Sequence, residues 1–419
     1  TLILIVCFSI EGATVIHAGT LLDGTGSEPI REMSIVIDNQ VITRVETGYI
    51  EPEPDDTYLD LTGYFILPGL IDMHVHLSSE YSSKSYEESI SLNSSDYAIK
   101  AVANARKTLL AGFTSVRNLG DSGNVTVSLR NAINKGVVPG PRIFSSGKTI
   151  SSSGGHGDPS NSLRSNLSSD PGPAQGVINN SSDSFKAVRY RYKENADLIK
   201  ITATGGVLSN AKNGQNPQMT SEEISSIVLA ARDYGFKVAA HAHGAEGIKR
   251  AVIAGVDSIE HGTLMDSEGM KLMREKGTYY VPTLLAGAWV ADKAKIDGFF
   301  PDLVRPKALE IGPQLKITFA KAYQAGVKIA FGTDTGVSSH GKNAEEFYEM
   351  VDAGMPEIQA ILSATKEASI LLGQNSMLGS ITIGKYADII AVSGNPLENI
   401  RILETVDFVM KAGDIYKSP

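Results

Sequence analysis

The feature that most constrains the fold is a repeated alternation of short apolar runs and amphipathic segments through the middle of the chain. The apolar runs predict eight strands, at residues 67–76, 114–119, 142–146, 197–203, 237–243, 257–261, 278–284 and 328–334. Amphipathic segments between them, at 96–111, 221–234, 245–254 and 315–325, predict helices. This alternation predicts an α/β protein with a parallel (β/α)8 TIM barrel, and a doubly wound open sheet is the alternative.

Glycines mark the ends of the predicted helices. They are Gly112, Gly136, Gly235, Gly255, Gly277 and Gly326, and each follows a helix-like segment and precedes a β-rich run. Glycine adopts the left-handed conformation that ends many helices without a steric penalty. We therefore expect these residues to be the points at which helices stop.

The two ends of the chain differ from the middle. Short strands separated by turns are predicted at 13–16, 34–38, 41–45 and 58–61, and again at 380–383, 388–392 and 407–411. We expect residues 1–66 and 379–419 to pair as a small composite β-sandwich domain. Residues 67–378 would then form the barrel.

The composition is that of an ordinary globular protein, because 42% of the 419 residues are hydrophobic and 20% are charged. The net charge of −9 is not accompanied by a basic stripe, which argues against nucleic acid and makes a small molecule the expected partner. The single cysteine, Cys7, excludes an internal disulfide and a cysteine-based zinc cluster. Histidine, carboxylate or other oxygen ligands must therefore hold any metal.

The first residues, Thr1 to Ile10, form a short apolar run in a chain that does not begin with Met. The run resembles the tail of a secretory signal, which favours a periplasmic or secreted location over a cytoplasmic one. A first β-strand is the alternative. No later stretch is long enough to span a membrane.

Two apolar segments lie late in the chain, and they contain Trp289 with Val290 and Phe299 with Phe300. They suggest an exposed contact surface and therefore a homo-oligomer. A lid or a place in the core is the alternative for these residues.

Polar residues lie where the predicted strands end. They are His74, His76, Lys200, His241, His243, His261 and Asp334. Because alternate residues of a strand point the same way, His74 and His76 can direct two imidazoles at one point. Barrel enzymes place their chemistry at the carboxyl ends of the strands. A single histidine there is more often structural, but the whole set predicts a metal site.

A long stretch from 147 to 183 is rich in Ser, Gly, Asn, Pro and Asp and has no apolar period. A loop of that length in a compact domain is usually functional or disordered. Because it follows the third strand, we expect it to cover the mouth of the barrel and to bring His156 to the substrate. A mobile surface loop with an incidental histidine is the alternative.

These motifs resemble the amidohydrolase superfamily of metal-dependent hydrolases. The resemblance rests on Leu67 to His76, on Lys200 within Leu198 to Thr202, on His241 and His261, and on Phe331 to Asp334, and it covers nearly the whole chain. It implies a binuclear site with two divalent ions. Zinc is favoured, although manganese, cobalt and iron also suit such ligands.

The resemblance also implies a ligand set. His74, His76 and Asp334 bind one metal, His241 and His261 bind the other, and Lys200 bridges both as an N-carboxylated lysine. An ammonium group repels divalent cations and is costly in an apolar strand, so Lys200 should be neutral or modified. A Schiff base, or an ion pair with Asp197 or Glu194, is the alternative for this lysine.

The implied mechanism is attack of a metal-bridging hydroxide on an amide. Two divalent ions that share a water lower its pKa and polarise the scissile carbonyl. Asp334 is the expected catalytic base, which takes the proton of the water and passes it to the leaving amine, and metal ligation is a compatible role. The resemblance favours His241 on the metal and His243 toward the substrate, but the residues alone leave that choice open.

Within the superfamily, the chain is similar to a group of Xaa-Pro dipeptidases, or prolidases, arginine carboxypeptidases and ochratoxin amidases. The similarity rests on Ser78, Gly154 to Asp158, Ala203 to Val207 and Ala240 to Gly244. We expect His156, His243 and the N–H groups of Gly205 and Gly206 to receive a substrate carboxylate.

Three further residues are weaker candidates for the site. Ser78 and Tyr280 are expected to contact the substrate, and a place in the core is the alternative for Tyr280. Arg117 adds a charge at the end of the second strand, or forms an ion pair within the barrel.

The expected function is hydrolysis of dipeptides or N-acyl amino acids with release of the C-terminal amino acid. A cyclic amide or imidazolone hydrolase, or a lactonase, on the same metal site is the alternative enzyme. A catalytically idle metal-binding scaffold is a third reading, but a scaffold has no need for a general base beside its metals.

Overall fold

The computed structural model describes residues 12–164, 166–209 and 214–419. The apolar run of residues 1–10, for which a secretory signal is the prediction, lies outside the described residues. Within the described ranges, no helix is long and apolar enough to cross a membrane.

The strands and helices alternate through the middle of the chain. The strands are β1 (Thr14–Leu21), β2 (Ile30–Asp38), β3 (Val41–Thr47), β4 (Thr57–Pro68), β5 (Leu70–Val75), β6 (Phe113–Asn118), β7 (Arg142–Ser145), β8 (Ser151–Ser152), β9 (Val177–Ile178), β10 (Ile199–Thr202), β11 (Val238–Gly244), β12 (Ser258–Leu264), β13 (Tyr279–Val281), β14 (Ile389–Val392), β15 (Phe408–Lys411) and β16 (Asp414–Lys417). The α-helices are α1 (Ser85–Ser91), α2 (Ser94–Leu110), α3 (Val125–Asn134), α4 (Ser181–Lys193), α5 (Ser221–Asp233), α6 (Ala245–Ala254), α7 (Ser267–Lys276), α8 (Leu284–Lys293), α9 (Arg305–Gln324), α10 (Glu345–Asp352), α11 (Glu357–Leu362) and α12 (Ala368–Leu372). Short 3-10 turns lie at Pro173–Gln175 and Ile400–Glu404, and a π-helical turn at Ser363–Glu367 joins α11 to α12.

Parallel strands in the middle of the chain form two sheets, with the orders β5-β6-β7 and β10-β11-β12-β13. Backbone hydrogen bonds join the sheets on both sides. The Asp197 N–H donates to the Ser145 carbonyl at 2.7 Å. On the other side, the Tyr280 N–H donates to the Lys328 carbonyl at 2.8 Å and the Asp334 N–H donates to the His74 carbonyl at 2.7 Å. The carboxyl ends of these strands therefore open on one common side.

Two predicted strands are shorter or less regular than expected. The strand predicted at 278–284 is only β13, because Pro282 offers no N–H and Thr283 has a φ of 53°, after which α8 begins. The segment predicted at 328–334 keeps backbone bonds to β13 and β5 but is not a regular strand, since Asp334 has a φ of 55°. Left-handed residues interrupt the ladder at the cavity end of both segments.

The helix predictions agree with α2, α5 and α6. The helix predicted at 315–325 is the second half of the longer α9, which continues through Pro313. The glycines that were expected to end helices or precede strands all have positive φ values, between 69° and 94°. The long segment of residues 147–183 contains a short parallel pair, β8 with β9, instead of being structureless throughout.

The ends of the chain form one mixed sheet with the order β16-β15-β14-β4-β1-β2-β3. The β3 edge of this sheet meets the segment before β14, because Val41 forms a bridge with Tyr386 and the Ile42 N–H donates to the Lys385 carbonyl at 2.9 Å. The sheet therefore folds back on itself, and the two-layer sandwich stays a prediction. Its buried residues, among them Ile16, Ile35, Ile389 and Phe408, form a hydrophobic cluster of their own. No strand forms at 380–383, whereas β16 was not predicted.

Candidate active site

A cavity of about 280 Å³ lies at the carboxyl ends of the parallel strands. Its polar lining is formed by His74, His76, His156, Lys200, His241, His243, His261 and Asp334. The structure thus brings the residues predicted at strand ends together and adds His156 from the segment after β7. His241 and His243 both reach the cavity because they occupy alternate positions of β11.

His74, His76 and Asp334 form a compact group whose ligand atoms lie within 4.8 Å of one another. The Nδ1 atom of His74 lies 2.8 Å from Glu260 Oε2. The Nδ1 atom of His76 lies 3.2 Å from the Gly120 carbonyl oxygen. Because these oxygens accept, Nδ1 donates in each ring and Nε2 keeps its lone pair. The two Nε2 atoms lie 3.4 Å and 3.2 Å from Asp334 Oδ1, so two imidazoles and a carboxylate converge.

His241 and His261 form the second part of the site, with ring centroids 4.7 Å apart. His241 Nε2 lies 3.0 Å from the Gly205 carbonyl, and His261 Nδ1 lies 2.8 Å from the Thr283 hydroxyl. Each ring therefore has one nitrogen held by the protein and one nitrogen left for a ligand. Burial lowers the pKa of both rings well below the usual value, which keeps them neutral as metal ligands must be.

The backbone is strained at three of these positions. His261, Thr283 and Asp334 have φ values of 71°, 53° and 55°, in the left-handed region that residues with a Cβ rarely adopt. Such strain costs on the order of 1 kcal/mol or more at each residue and is typical of functional sites. Here the strained residues lie within β12, just after β13 and in the last extended segment, and the side chains of all three line the same cavity.

Lys200 is buried in the wall of the cavity and is only 4% exposed. Its ammonium group makes no hydrogen bond or ion pair with the part of the chain that the structure describes. Burial lowers its pKa to about 8. The alternative ion pair is wrong, because Asp197 lies 2.5 Å from Arg130 and Glu194 lies 3.0 Å from Arg191.

His156 and His243 complete the polar lining. The His156 ring lies 4.5 Å from that of His241, and His243 Nδ1 lies 2.7 Å from the Thr263 hydroxyl. The buried Nδ1 of His156 has no hydrogen-bond partner among the described residues. Burial lowers the pKa of His156 to about 4 and that of His243 to about 3. Both rings are therefore neutral at pH 7, and each can donate one hydrogen bond.

Sequence reasoning missed the importance of Glu260, which lies under the cavity. Arg117 donates to Glu260 Oε1 at 2.7 Å, to the Ser258 hydroxyl at 3.0 Å and to the Met73 carbonyl at 2.6 Å. Arg117 therefore forms an ion pair with Glu260, which is the alternative that the sequence analysis gave for it. Burial alone would raise the pKa of Glu260, but Arg117 and His74 hold it at about 2. The sequence did offer one signal, because Glu260 is a charged residue within an apolar predicted strand, where a charge needs a buried partner.

Asp72 fixes the segment that carries His74 and the segment that carries Asp334. It accepts hydrogen bonds from the Thr333 hydroxyl at 2.7 Å, from Asn343 at 2.8 Å and from the His74 N–H at 3.0 Å. We call the hydrogen-bonded groups around Asp72 and around Glu260 together the floor network. It consists of Asp72, Arg117, Ser258, Glu260, Thr333 and Asn343. Thr333 was part of the Phe331 to Asp334 motif, but its bond to Asp72 and that of Asn343 gave no sequence signal, since these residues meet only in the folded chain.

Several predicted substrate contacts have other partners. The Tyr280 hydroxyl is buried and donates to the His261 carbonyl at 2.8 Å, and Tyr280 does not line the cavity. The Gly205 N–H donates to the Asn216 carbonyl at 3.1 Å, which leaves it unable to receive a carboxylate. Ser78 is buried and outside the cavity lining. Gly206 packs on His156 so closely that a Cβ there would lie 2.2 Å from the ring.

The apolar residues that suggested an oligomer contact form one hydrophobic cluster, of which Val290 also lines the cavity. Phe299 and Phe300 have ring centroids 5.0 Å apart, and those of Trp289 and Phe299 are 5.7 Å apart. Phe300 and Val290 are each 4% exposed. These rings therefore pack against one another within the chain, and the homo-oligomer stays a prediction.

The sequence matches the amidohydrolase family over residues 65–416. The ochratoxinase of Aspergillus niger is 32% identical over 435 aligned positions, which cover 97% of this chain and 87% of that protein. A solved Xaa-Pro dipeptidase with methionine bound in its active site is 55% identical, with a TM-score of 0.95, and the match covers 97% of this chain and 100% of that one. A prolidase complexed with N-methylphosphonate-L-proline is 31% identical with a TM-score of 0.88, and covers the same shares.

The fold and the sequence thus point the same way. The α/β architecture with several parallel sheets is shared along nearly the whole chain with these structures. The family match includes the elements that carry the lining of the cavity. The chain belongs to the amidohydrolase family.

Proposed function

We propose that the chain is a binuclear metal-dependent hydrolase that releases a C-terminal amino acid from dipeptides or N-acyl amino acids. Its family, together with its 32% sequence identity to an ochratoxinase, makes it a hydrolase of amide or peptide bonds. The observation that carries the finer proposal is the orientation of His74, His76, His241 and His261. In each ring a protein oxygen holds one nitrogen, and the other nitrogen is left for a ligand.

The ligands in two related structures support the substrate class. One neighbour holds methionine in its active site, and another holds a phosphonate derivative of L-proline. Each is an amino acid or an amino acid derivative. A chain that binds similar ligands would recognise the amino acid that its reaction releases.

We also propose the architecture that supports this site. The two parallel sheets and residues 328–335 would close into a (β/α)8 barrel of residues 67–378, which the backbone hydrogen bonds on both sides support. Residues 1–66 and 379–419 would form the composite β-domain. The separate hydrophobic cluster of the mixed sheet supports that division.

The side chains fit two divalent ions. His74, His76 and Asp334 would hold one ion, His241 and His261 would hold the other, and a carboxylated Lys200 would lie between them. A buried lysine that forms no hydrogen bond or close ion pair with the described residues is a suitable precursor, because carboxylation replaces a cation by an anion. When bound, the ions polarise the scissile carbonyl and lower the pKa of a water molecule. Imidazole and carboxylate ligands suit zinc.

Asp334 is the residue that moves the proton. Burial raises the pKa of Asp334, but the neighbouring His74 and His76 lower it by more, so the pKa lies below its ordinary value and the carboxylate is ionised. It accepts a proton from the attacking water at a carboxylate oxygen. It then donates that proton to the amide nitrogen as the C–N bond breaks, and the amine leaves neutral.

His156 and His243 are the proposed contacts for the substrate carboxylate. Both line the cavity beside the proposed ligands, His243 buried and His156 partly buried. Because both rings are neutral, they bind the carboxylate by hydrogen bonds and add no positive charge beside the metals. The Nδ1 atom of His156 supports this role, since it has no other partner in the described chain.

Amine release by the zinc-loaded protein tests the proposal. The panel contains Xaa-Pro, Xaa-Arg and other dipeptides, N-acyl amino acids and ochratoxin-type amides, with lactones and hydantoins as controls. We expect turnover only of amides that bear a free C-terminal carboxylate. Turnover of the ring substrates alone would support the cyclic amide hydrolase or lactonase instead.

Metal analysis separates the two histidines of β11. We expect His243→Ala to keep two equivalents of metal and to lose activity, whereas His241→Ala loses one equivalent. Loss of metal from His243→Ala would exchange the assigned roles. Intact mass measured under native conditions reports whether Lys200 carries an added carboxylate, with Lys200→Ala as the control.

A further inference from the structure

The cavity has two chemically different walls. The inner wall is the polar lining described above. The outer wall is formed by apolar residues or by the ring of a tyrosine, namely Tyr81, Val207, Leu208, Val290, Ile311 and Val337. Because the two walls enclose one cavity of about 280 Å³, a substrate held at the inner wall also contacts the outer one.

The outer wall is backed by a hydrophobic cluster rather than by solvent. Val207, Val290 and Ile311 are 7%, 4% and 5% exposed, and they belong to one cluster with Phe300 and Val304. The Tyr81 ring lies 5.6 Å from that of Phe300. A wall packed in this way is preformed and offers little water to a polar group.

Charge is confined to the inner wall. Apart from histidines, the charged residues in the lining of the cavity, as far as the chain is described, are Lys200 and Asp334. Lys307 lies nearby, but its ammonium donates to the carbonyls of Gly206 at 3.1 Å and of Ser209 at 2.8 Å. A charged substrate side chain at the outer wall would be desolvated, and the apolar residues that form this wall offer it no counterion.

We infer that the outer wall is a specificity subsite that selects substrates with a bulky apolar or aromatic side chain and disfavours charged ones. This inference deepens the proposed function and rests on it. It names amides of large apolar amino acids as the substrate class, and it sets the chain apart from carboxypeptidases that release arginine. The side chain can belong to the acyl part or to the released amino acid, because both are within reach of a metal-bound amide.

Two matched substrate series test the inference and locate the side chain. One series is Xaa-Pro with Leu, Phe, Asp, Lys or Ala as Xaa, and the other is Ala-Xaa with the same residues. We expect kcat/KM for Leu and Phe to exceed that for Asp and Lys by about 10-fold or more in at least one series. The series that shows the difference identifies the part of the substrate at the outer wall. A flat profile, or a preference for charged residues, in both series would overturn the inference while leaving the proposed function intact.

Variants on one helix provide the structural control. Ile311→Lys places a cation in the outer wall, whereas Leu309→Lys places it on the exposed side of α9, where Leu309 is 46% exposed. We expect Ile311→Lys to raise the kcat/KM ratio of Asp to Leu substrates by about 10-fold, and Leu309→Lys to leave it unchanged. The half-buried Val337→Lys makes the same test if Ile311→Lys does not fold. An unchanged ratio in a folded outer-wall variant would contradict the inference.

Binding of free amino acids gives a readout that does not need turnover. Calorimetry with the zinc-loaded protein compares L-leucine and L-phenylalanine with L-aspartate and L-lysine. If no amide is hydrolysed but the apolar amino acids bind about 10-fold more tightly, the proposed reaction fails and the subsite remains. If amides are hydrolysed and neither assay shows an apolar preference, the subsite assignment fails and the reaction remains.

Discussion

The floor network and the cavity above it contain similar groups in opposite situations. In the floor network, Arg117 has Glu260, Ser258 and the Met73 carbonyl as partners, and Asp72 accepts four hydrogen bonds from Thr333, Asn343 and His74. In the cavity, the Lys200 ammonium forms no hydrogen bond or close ion pair with the described residues, and the buried Nδ1 of His156 has no hydrogen-bond partner among them. The compared groups are buried in both regions, so solvent exposure does not explain why one set has partners and the other does not.

The comparison separates what the protein fixes by itself from what it leaves for a ligand. A buried charge without a partner is costly, and proteins retain it where function requires it. Within the floor network, Glu260 holds the His74 ring in one orientation before any ion or substrate arrives. The cavity keeps its remaining nitrogen and oxygen atoms free for chemistry. Changes in the floor network should therefore affect stability, and changes in the cavity should affect activity.

The largest effect is expected in the cavity. We predict that Asp334→Asn lowers kcat by about 10²–10⁴-fold, because the amide cannot accept the proton of the water. The free energy of unfolding should stay within about 1 kcal/mol of the parent value, since this residue belongs to the cavity and not to the floor. Steady-state kinetics and urea unfolding measure the two quantities. Unchanged kinetics in a folded variant would end the proposed mechanism.

The second effect is expected in the floor network. We predict that Glu260→Gln lowers the free energy of unfolding by about 3–5 kcal/mol, because Arg117 is left buried without a counterion. Urea unfolding at pH 7 measures the loss. The matched control is Glu246→Gln, whose exposed ion pair with Arg250 at 2.8 Å should contribute less than about 1 kcal/mol. Equal losses in the two variants would mean that the floor network is no more important than a surface pair.

A residue between the two regions sharpens their boundary. Thr283 holds Nδ1 of His261, so Thr283→Ala should weaken metal binding by about 10–100-fold through loss of ring orientation. Thr283→Ser keeps the hydroxyl and should restore most of the affinity. Competition with a chelator measures both variants. If serine fails to rescue, the methyl group and the left-handed backbone, rather than the hydrogen bond, set the affinity.

The smallest effect concerns a buried cation whose hydrogen bond goes to a neutral carbonyl group. Lys411 lies outside the site, donates to the Gly140 carbonyl at 2.6 Å, and has its pKa lowered by burial from 10.5 to about 8. The unfolded chain binds this proton more tightly, so the free energy of unfolding should rise between pH 8 and 10.5. Lys411→Met should remove that rise, which we expect to be on the order of 1 kcal/mol. Unfolding of both proteins at pH 8 and pH 10 tests it, and parallel pH dependences would contradict it.

The same division explains what could be predicted from the sequence. The strand ends follow a period of two and carry unusual residue types, so His74, His76, His241 and the lysine were accessible from local pattern alone. The floor network joins residues far apart in the chain. Asp72 and Asn343, for example, have no local relation that a periodicity could reveal.

Backbone strain explains the errors at the strand ends. The segment 328–334 has the composition of a strand, but Asp334 adopts a left-handed conformation that composition does not indicate. Thr283 likewise ends β13 early. The substrate contacts were the least accessible, because Gly205 and Tyr280 had the right position along the chain but their donors are used by other backbone groups.

The mixed sheet has a consequence for the order of folding. Strand β4 pairs with β1 on one side and with β14 on the other. Phe65 in β4 can therefore pair with Val392 in β14 only after the more than 300 residues between them have been synthesised. At about 5–20 residues per second, synthesis of the intervening chain takes tens of seconds. During that time the edge of β4 has no partner of its own, and nascent chains would be most prone to aggregate there.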